Sequence, residues 1–221
     1  ALASKDIVVV NMNYRVGIFG FFAHPELTAE SPHKSSGNYG LMDQIAALKW
    51  VKANIAEFGG DPERVTIAGQ SAGSMSVVSL VASPLAKGLF RQAIAQSGAG
   101  MLSRSPESPK LAQLDLQVVH KEGVRVADAL GAKSIADLRA MSAEDLFKSA
   151  KYQSFPIIDG YVLPESLPSI FKQNKENNVA LLTGWNEDEG FVFGPPQNAV
   201  QFRQEIERGY GAAAAELLKY Y

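Results

Sequence analysis

Val65-Thr66-Ile67-Ala68-Gly69-Gln70-Ser71-Ala72-Gly73-Ser74-Met75-Ser76 is the stretch on which the reading of this chain turns. Its first four residues form a short apolar run that stops at Gly69, as a buried strand does. Beyond it, Met75, Val78, Val81 and Ala82 recur at helical spacing. A serine inside Gly-x-Ser-x-Gly, between a strand and a helix, has the form of a nucleophile elbow. Glycine has no Cβ, so the turn can tighten until the Ser71 hydroxyl stands above the sheet.

The flanking chain has the alternation that such an elbow requires. Upstream, Ile7-Val8-Val9-Val10 is a β-branched run between polar residues, the pattern of a strand covered on both faces of a parallel sheet. Residues 13–22, with two glycines and three phenylalanines, read as packed irregular chain, and 24–40, rich in Pro, Ser, Gly and His, as loop. Over 41–58, Ile45, Leu48, Trp50, Val51, Ile55 and Phe58 recur at threes and fours, predicting an amphipathic helix of about five turns. Gly59-Gly60-Asp61-Pro62 ends it. Strand 65–68, the elbow and helix 72–82 follow; Ser83-Pro84 breaks that helix, and Ala93-Ile94-Ala95-Gln96 reads as the next strand. Strand, helix, strand, helix, strand over residues 6–98 is a βαβ pattern. The fold class is therefore α/β, a mostly parallel sheet with helices on both faces.

Residues 99–109 are linker-like. Over 110–150, Leu114, Val118, Val124, Val126, Leu130, Leu138, Leu146 and Phe147 keep helical spacing with no intervening strand. A helical insertion or lid at about 101–150 is expected, with His120 on a helix surface. Short β and turn signals surround Asp159-Gly160. Residues 179–183 predict a further buried strand leading into Gly184-Trp185-Asn186-Glu187-Asp188-Glu189-Gly190, and 199–208 and 212–218 predict two terminal helices.

Composition narrows the function. At 221 residues, 46% hydrophobic and 20% charged, the chain suits one globular domain or part of a larger one. A net charge of -2 provides no field for nucleic acid or an anionic membrane. No apolar run is long enough to span a bilayer. Three scattered histidines (His24, His33, His120) and no cysteine argue against a zinc or iron-sulfur site, and no cofactor is called for. The sequence leaves the compartment open. A secreted or periplasmic location is compatible, with any signal peptide outside this chain.

A serine hydroxyl needs an imidazole base, a carboxylate to orient that base, and N–H donors for the oxyanion. Ser71 is the candidate nucleophile, and the N–H of Ala72, the next residue, is placed to donate to the oxyanion. Glu187, Asp188 and Glu189, just past a late strand, are candidate acids at the carboxyl edge of the sheet. Elbow enzymes order the triad Ser, acid, His. All three histidines precede Glu189, and no His-Gly-Gly-Gly-type loop precedes Ser71.

Asn13-Tyr14-Arg15-Val16-Gly17, Gly37-Asn38-Tyr39-Gly40-Leu41-Met42-Asp43-Gln44, Phe58-Gly59-Gly60-Asp61-Pro62, the elbow, Gln96-Ser97-Gly98 and Asp188-Glu189-Gly190 together resemble the type B carboxylesterases. These comprise para-nitrobenzyl-esterase-like enzymes and their cholinesterase relatives, built on the α/β-hydrolase fold. The matches run in family order along nearly the whole chain and are weakest over 101–150.

The resemblance implies that Glu189 is the catalytic acid, that Ala72 supplies an oxyanion N–H, and that Arg15 pairs with Asp43. Gln70 stands where cholinesterases usually carry an acid, which disfavours a cationic choline ester. Trp185, Phe191 and Phe193 are expected to pack, and lining the substrate pocket is the lesser expectation for them. Members of the family are about twice as long, so 1–221 reads as a partial hydrolase domain truncated at both ends. It lacks the glycine-rich oxyanion loop and the catalytic histidine. The expected activity is hydrolysis of a small-molecule ester through an acyl-Ser71 intermediate, with this segment alone inactive. The alternative is a catalytically dead, esterase-like interaction module. A truncated sheet exposes strand edges, so association with the remaining segments of the enzyme, or with itself, is expected.

Overall fold

The computed structural model describes residues 2–98, 115–149, 152, 155–187, 189 and 198–219. Three parallel strands, β1 (Thr66–Gln70), β2 (Gln92–Gln96) and β3 (Ala180–Gly184), lie in that order in one sheet. Gln70 pairs with Gln96 and Gln96 with Gly184, so the carboxyl ends of the strands are level. Ten α-helices are described: α1 (Gly17–Phe21), α2 (Pro25–Glu30), α3 (Tyr39–Asn54), α4 (Ala72–Ala82), α5 (Leu116–Ala129), α6 (Ile135–Ala140), α7 (Ala143–Ser149), α8 (Leu167–Lys172), α9 (Ala199–Tyr210) and α10 (Ala214–Leu217).

The main core forms where α3 and α4 meet the sheet. Val77, Val78 and Val81 of α4 pack with Ile67, Ala93 and Ala95 of the strands and with Leu41, Ile45 and Leu48 of α3. Helix α3 ends in a 3-10 turn at Ile55–Phe58, and Gly59 adopts φ 79° to cap it, as Gly at that position should. Its buried stripe runs through Leu41, Ile45, Leu48, Val51 and Ile55. Trp50 and Phe58, read in the sequence as part of the same face, lie outside it. They are 49% and 61% exposed and pack on each other with ring centroids 5.8 Å apart. Helices α5 and α6 form a second, smaller core in which Val126, Ala127, Ile135 and Leu138 close over Phe22.

Several expectations need correction. Residues 7–10 are not a strand: Ile7, Val8, Val9 and Val10 are 43–51% exposed. A β-branched run becomes a strand only beside a partner. Here a cleft of about 1020 Å³, bounded by Ile7, Val8 and Val10 on one side and Thr66, Ile67 and Ala68 on the other, separates the run from β1. Strand β3 was expected to be buried, yet all five residues are exposed, Leu182 to 65%, because β3 is the edge of the described sheet. Residues 17–21, read as irregular, form α1. The stretch 24–40 contains α2, whose second residue, Glu26, donates its N–H to the His24 ring. His120 is only 8% exposed, not on a helix surface. Of the expected lid, 101–114 and 150 lie outside the described residues.

Candidate active site

The elbow sits where β1 passes into α4. Ser71 adopts φ 54° and ψ -117°, a backbone conformation costly for a residue with a side chain, on the order of 1–3 kcal/mol. Two main-chain bonds and the strand before it hold it there. The Ser71 N–H donates to Gln96 O at 2.9 Å, the Met75 N–H donates to Ser71 O at 3.0 Å, and Gln70 is already in the ladder. Only one of the two motif glycines is sterically required. A Cβ at Gly69 would lie 2.3 Å from the carbonyl carbon and oxygen of Gly73, whereas a Cβ at Gly73 would meet nothing within 4 Å. Gly69 lets the strand end approach the first turn of the helix.

The Ala72 N–H, expected as an oxyanion donor, lies in that first turn. Ala72 opens α4, and the first N–H groups of a helix have no intrahelical acceptor. Among the described residues the Ser71 hydroxyl has no hydrogen-bond partner.

Ser97 repeats this geometry one strand away. It follows Gln96, which pairs with Gln70, and it too has φ 54°. Its N–H donates to Gly184 O at 2.8 Å, which links β2 to the end of β3. Its hydroxyl donates to Glu189 Oε1 at 2.5 Å. The Asn186 N–H and Nδ2 donate to the same oxygen at 2.8 and 2.7 Å. These bonds, Ser97 first, hold the Glu189 carboxyl below the usual carboxylate range. Among the described residues Oε2 is left without a partner. Gly98 is required by the same packing, because a Cβ there would lie 2.2 Å from the Oγ of Ser74, a buried residue of α4.

Ser71 and Glu189 are thus both set at the carboxyl ends of level, parallel strands. Asp188, Gly190, Phe191 and Phe193 lie outside the described residues, and Trp185 is 82% exposed. The histidines are elsewhere: His24 and His120 lie where α5 meets α2, and the His33 ring stacks on Tyr161 at 3.8 Å. Ser97 and Asn186 were given no role in the sequence. A signal existed for Ser97, since Gln96-Ser97 ends β2 as Gln70-Ser71 ends β1.

Arg15 and Asp43 form the ion pair that the resemblance implies. Nε and Nη2 of Arg15 donate to the two carboxylate oxygens at 2.8 and 2.7 Å, and the Arg15 N–H adds a third bond at 3.0 Å. The pair ties the segment before α1 to α3. Among the described residues no three metal-ligating side chains cluster, and no helix is long and apolar enough to cross a membrane.

Comparison with known proteins agrees with this architecture. The chain is 40% identical over 222 residues to the fumonisin B1 esterase of Sphingopyxis macrogoltabida, covering 97% of this chain and 40% of that protein. It is 37% identical to mouse (Mus musculus) neuroligin-2 over 96% of this chain and 24% of the relative. Among solved structures, a thermophilic PNB esterase superposes with a TM-score of 0.72 at 32% identity, covering 95% of this chain and 44% of the esterase. The chain therefore spans less than half the length of these relatives, and its sheet and helices are those of an α/β-hydrolase fold. The model of the Carboxylesterase family matches residues 1–213, and the chain belongs to that family.

Proposed function

We propose that the protein is a serine carboxylic-ester hydrolase in which Ser71 is the nucleophile, Glu189 the acid and Ala72 an oxyanion donor. The observation that carries this reading is the shared sheet edge. A strained serine with a free hydroxyl and a carboxylate held by three donors stand at the carboxyl ends of level, parallel strands. In this scheme Ser71 Oγ attacks the ester carbonyl, and its proton passes to an imidazole. The alcohol leaves with that proton, and water then hydrolyses the acyl-serine. The Ala72 N–H meets the negative oxygen of each tetrahedral intermediate. Glu189 Oε2, unengaged by Ser97 and Asn186, is suited to orient the imidazole, with Ser97 acting as a positioning residue for the acid. The neutral Gln70, where cholinesterases carry an acid, favours an uncharged ester over a choline ester.

The imidazole and the second oxyanion donor come, in this proposal, from parts of the enzyme beyond these 221 residues. Two observations support it. None of His24, His33 and His120 has a bond to Ser71 or Glu189. Among the described residues the sheet is also open on both sides, at exposed β3 and at the cleft beside β1. The cleft of about 1020 Å³ beside β1 leaves room for further chain. Its lining mixes apolar residues such as Val8, Ile67 and Val77 with polar ones such as Gln44, Arg64 and Arg91, and beside it runs the edge of β1 that has no partner strand among the described residues. The remaining segments of the enzyme, or a second copy, would associate there. Helices α5–α7 form an inserted helical layer.

The test is hydrolysis of a nitrophenyl acyl ester by the protein with its flanking segments restored. The expected result is turnover with a burst of nitrophenol, lost in Ser71→Ala; the 221-residue chain alone should be slower by orders of magnitude, since a triad acts as a unit. Absence of turnover in the restored protein would favour the second reading, a catalytically dead interaction module. The match to neuroligin-2, a relative not named for hydrolysis, is the observation on its side.

A further inference from the structure

His24 and His120 are both buried, and neither belongs to the site described above. His120 Nε2 lies 2.8 Å from Thr28 Oγ1, which lies 2.7 Å from Ser36 Oγ. His24 Nδ1 accepts the Glu26 N–H at 3.3 Å, so the neutral ring carries its proton on Nε2. Its ring stacks on Phe22, with centroids 6.1 Å apart. Both rings lie in the seam between α5 and α2 with the segment before it.

That seam is tight and continuous. A Cβ at Gly123 of α5 would sit 1.9 Å from the Ala23 carbonyl oxygen, so helix and chain are in direct contact. Just beyond, the Ile135 N–H at the start of α6 donates to Glu26 Oε2 at 3.0 Å, and Arg139 forks Glu30 at 2.9 and 2.7 Å. A cavity of about 280 Å³ opens beside His24, lined also by Glu26, Asp128 and Lys133, and gives protons access to the seam.

We propose that His120 forms a proton-sensitive latch: with its ring neutral, α5 and α6 are held on α2, and acidification of the seam releases them. Among the described residues the hydrogen-bond partner of the His120 side chain is the Thr28 hydroxyl, with His24 nearby. On its own helix, Asp115 caps the Val118 N–H and Glu122 is paired with Arg125, while Lys121 is exposed. On α2, Glu26 and Glu30 are engaged with Ile135 and Arg139. On the loop that follows, Lys34 donates to Ala29 O, and Ser35 donates to Asp159, which also accepts backbone N–H groups. At the start of α6 the Lys133 backbone N–H donates to Asp137 Oδ2. Among the described residues no carboxylate is therefore hydrogen-bonded to the His120 ring to balance an imidazolium.

Burial, and secondarily the nearby His24, hold the His120 ring below its ordinary value of 6.5. The sign follows. A histidine that binds its proton more weakly when docked contributes docking stability in full above about pH 6.5. That stability is lost as the pH falls, by up to tenfold per unit, until the docked ring itself titrates.

The test is amide exchange, corrected for the intrinsic rate, at pH 7.5 and 5.5 on the folded protein. Protection in 116–140 should fall several-fold, up to about tenfold for His120 alone, while 66–70 and 92–96 keep theirs. His120→Gln, which retains an amide partner for Thr28, should remove most of the change. The exposed-ring control His33→Gln should retain it. Equal protection at the two pH values, or an undiminished fall in His120→Gln, overturns the latch. Should His120→Gln fail to fold, NMR titration of the His120 ring in the unaltered protein decides: a midpoint below 6.5 supports the latch and one at or above it refutes it.

Discussion

Gly69→Ala should disable the elbow, whereas Gly73→Ala should not, although the two glycines hold equivalent places in the motif. The new Cβ at position 69 would lie 2.3 Å from Gly73 C and O, about 1.1 Å short of the 3.4 Å at which ordinary contact begins. Both opposing atoms are backbone, so no side chain can swing away. They belong to the first turn of α4, whose residues Val77 to Ala82 are packed in the core. Overpacking typically costs about 1–3 kcal/mol, and a clash that only main chain can relieve belongs at the upper end, about 3 kcal/mol. A displacement of about 1 Å at Ser71 should also lower ester hydrolysis by about 10²-fold. At position 73 the added methyl meets open space and φ is not positive. There the loss of glycine's chain entropy predicts a gain of about 0.5–1 kcal/mol. Urea denaturation followed by tryptophan fluorescence measures the stability of both variants, and nitrophenyl ester turnover in the restored enzyme measures the displacement. The reasoning fails if Gly69→Ala stays within about 0.5 kcal/mol of the parent with unchanged turnover, or if Gly73→Ala loses as much as Gly69→Ala.

Other substitutions probe the remaining contacts. Ser97→Ala removes the first donor to Glu189, so the carboxyl should titrate at higher pH and kcat should fall on the order of tenfold, less than the 10²–10⁴ of a proton-transfer group. A pH–rate profile whose acid limb moves upward checks it. Tyr152→Phe leaves Phe21 O and the Ala23 N–H without the hydroxyl that bridges them and should cost about 1–3 kcal/mol in urea. Burial has already pushed that phenol up to about 12, so the parent should show no Tyr152 ionisation below pH 10 by difference absorbance. Arg15→Lys loses the two-point fork on Asp43, but the pair is partly exposed, and no more than about 1 kcal/mol should go with it. Ile170→Ala opens the main core at a residue only 1% exposed and should cost about 2–5 kcal/mol.

The local periodicities were legible because local physics decides them. β1, α4 and β2 fall within two residues of their predicted bounds, since apolar run, Gly69 and Ser83-Pro84 each act on the chain nearby. The Arg15–Asp43 pair and the family itself were readable from motifs. What was not readable depends on partners distant in sequence. The run 7–10 has the composition of a strand and lies across a cleft from the edge it would need. β3 has a strand's sequence, yet nothing described covers it. His120 reads as an exposed helix residue because its hydroxyl partner Thr28, itself bonded to Ser36, comes from a stretch whose Pro, Ser and Gly content conceals α2. At the site, Ser71 was identified from its own neighbours. The place of Ser97 depends on strand register, and register relates residues that the sequence separates by 26 positions.

The central claim is that Ser71 is the activated hydroxyl of an ester hydrolase. Its most direct test is reaction of the protein, flanking segments restored, with an organophosphonate ester, followed by mass mapping of the adduct. The account predicts a single adduct on the peptide that carries Ser71, formed slowly by the 221-residue chain alone and absent from Ser71→Ala. An adduct on any other serine, or none on the restored protein, would contradict it.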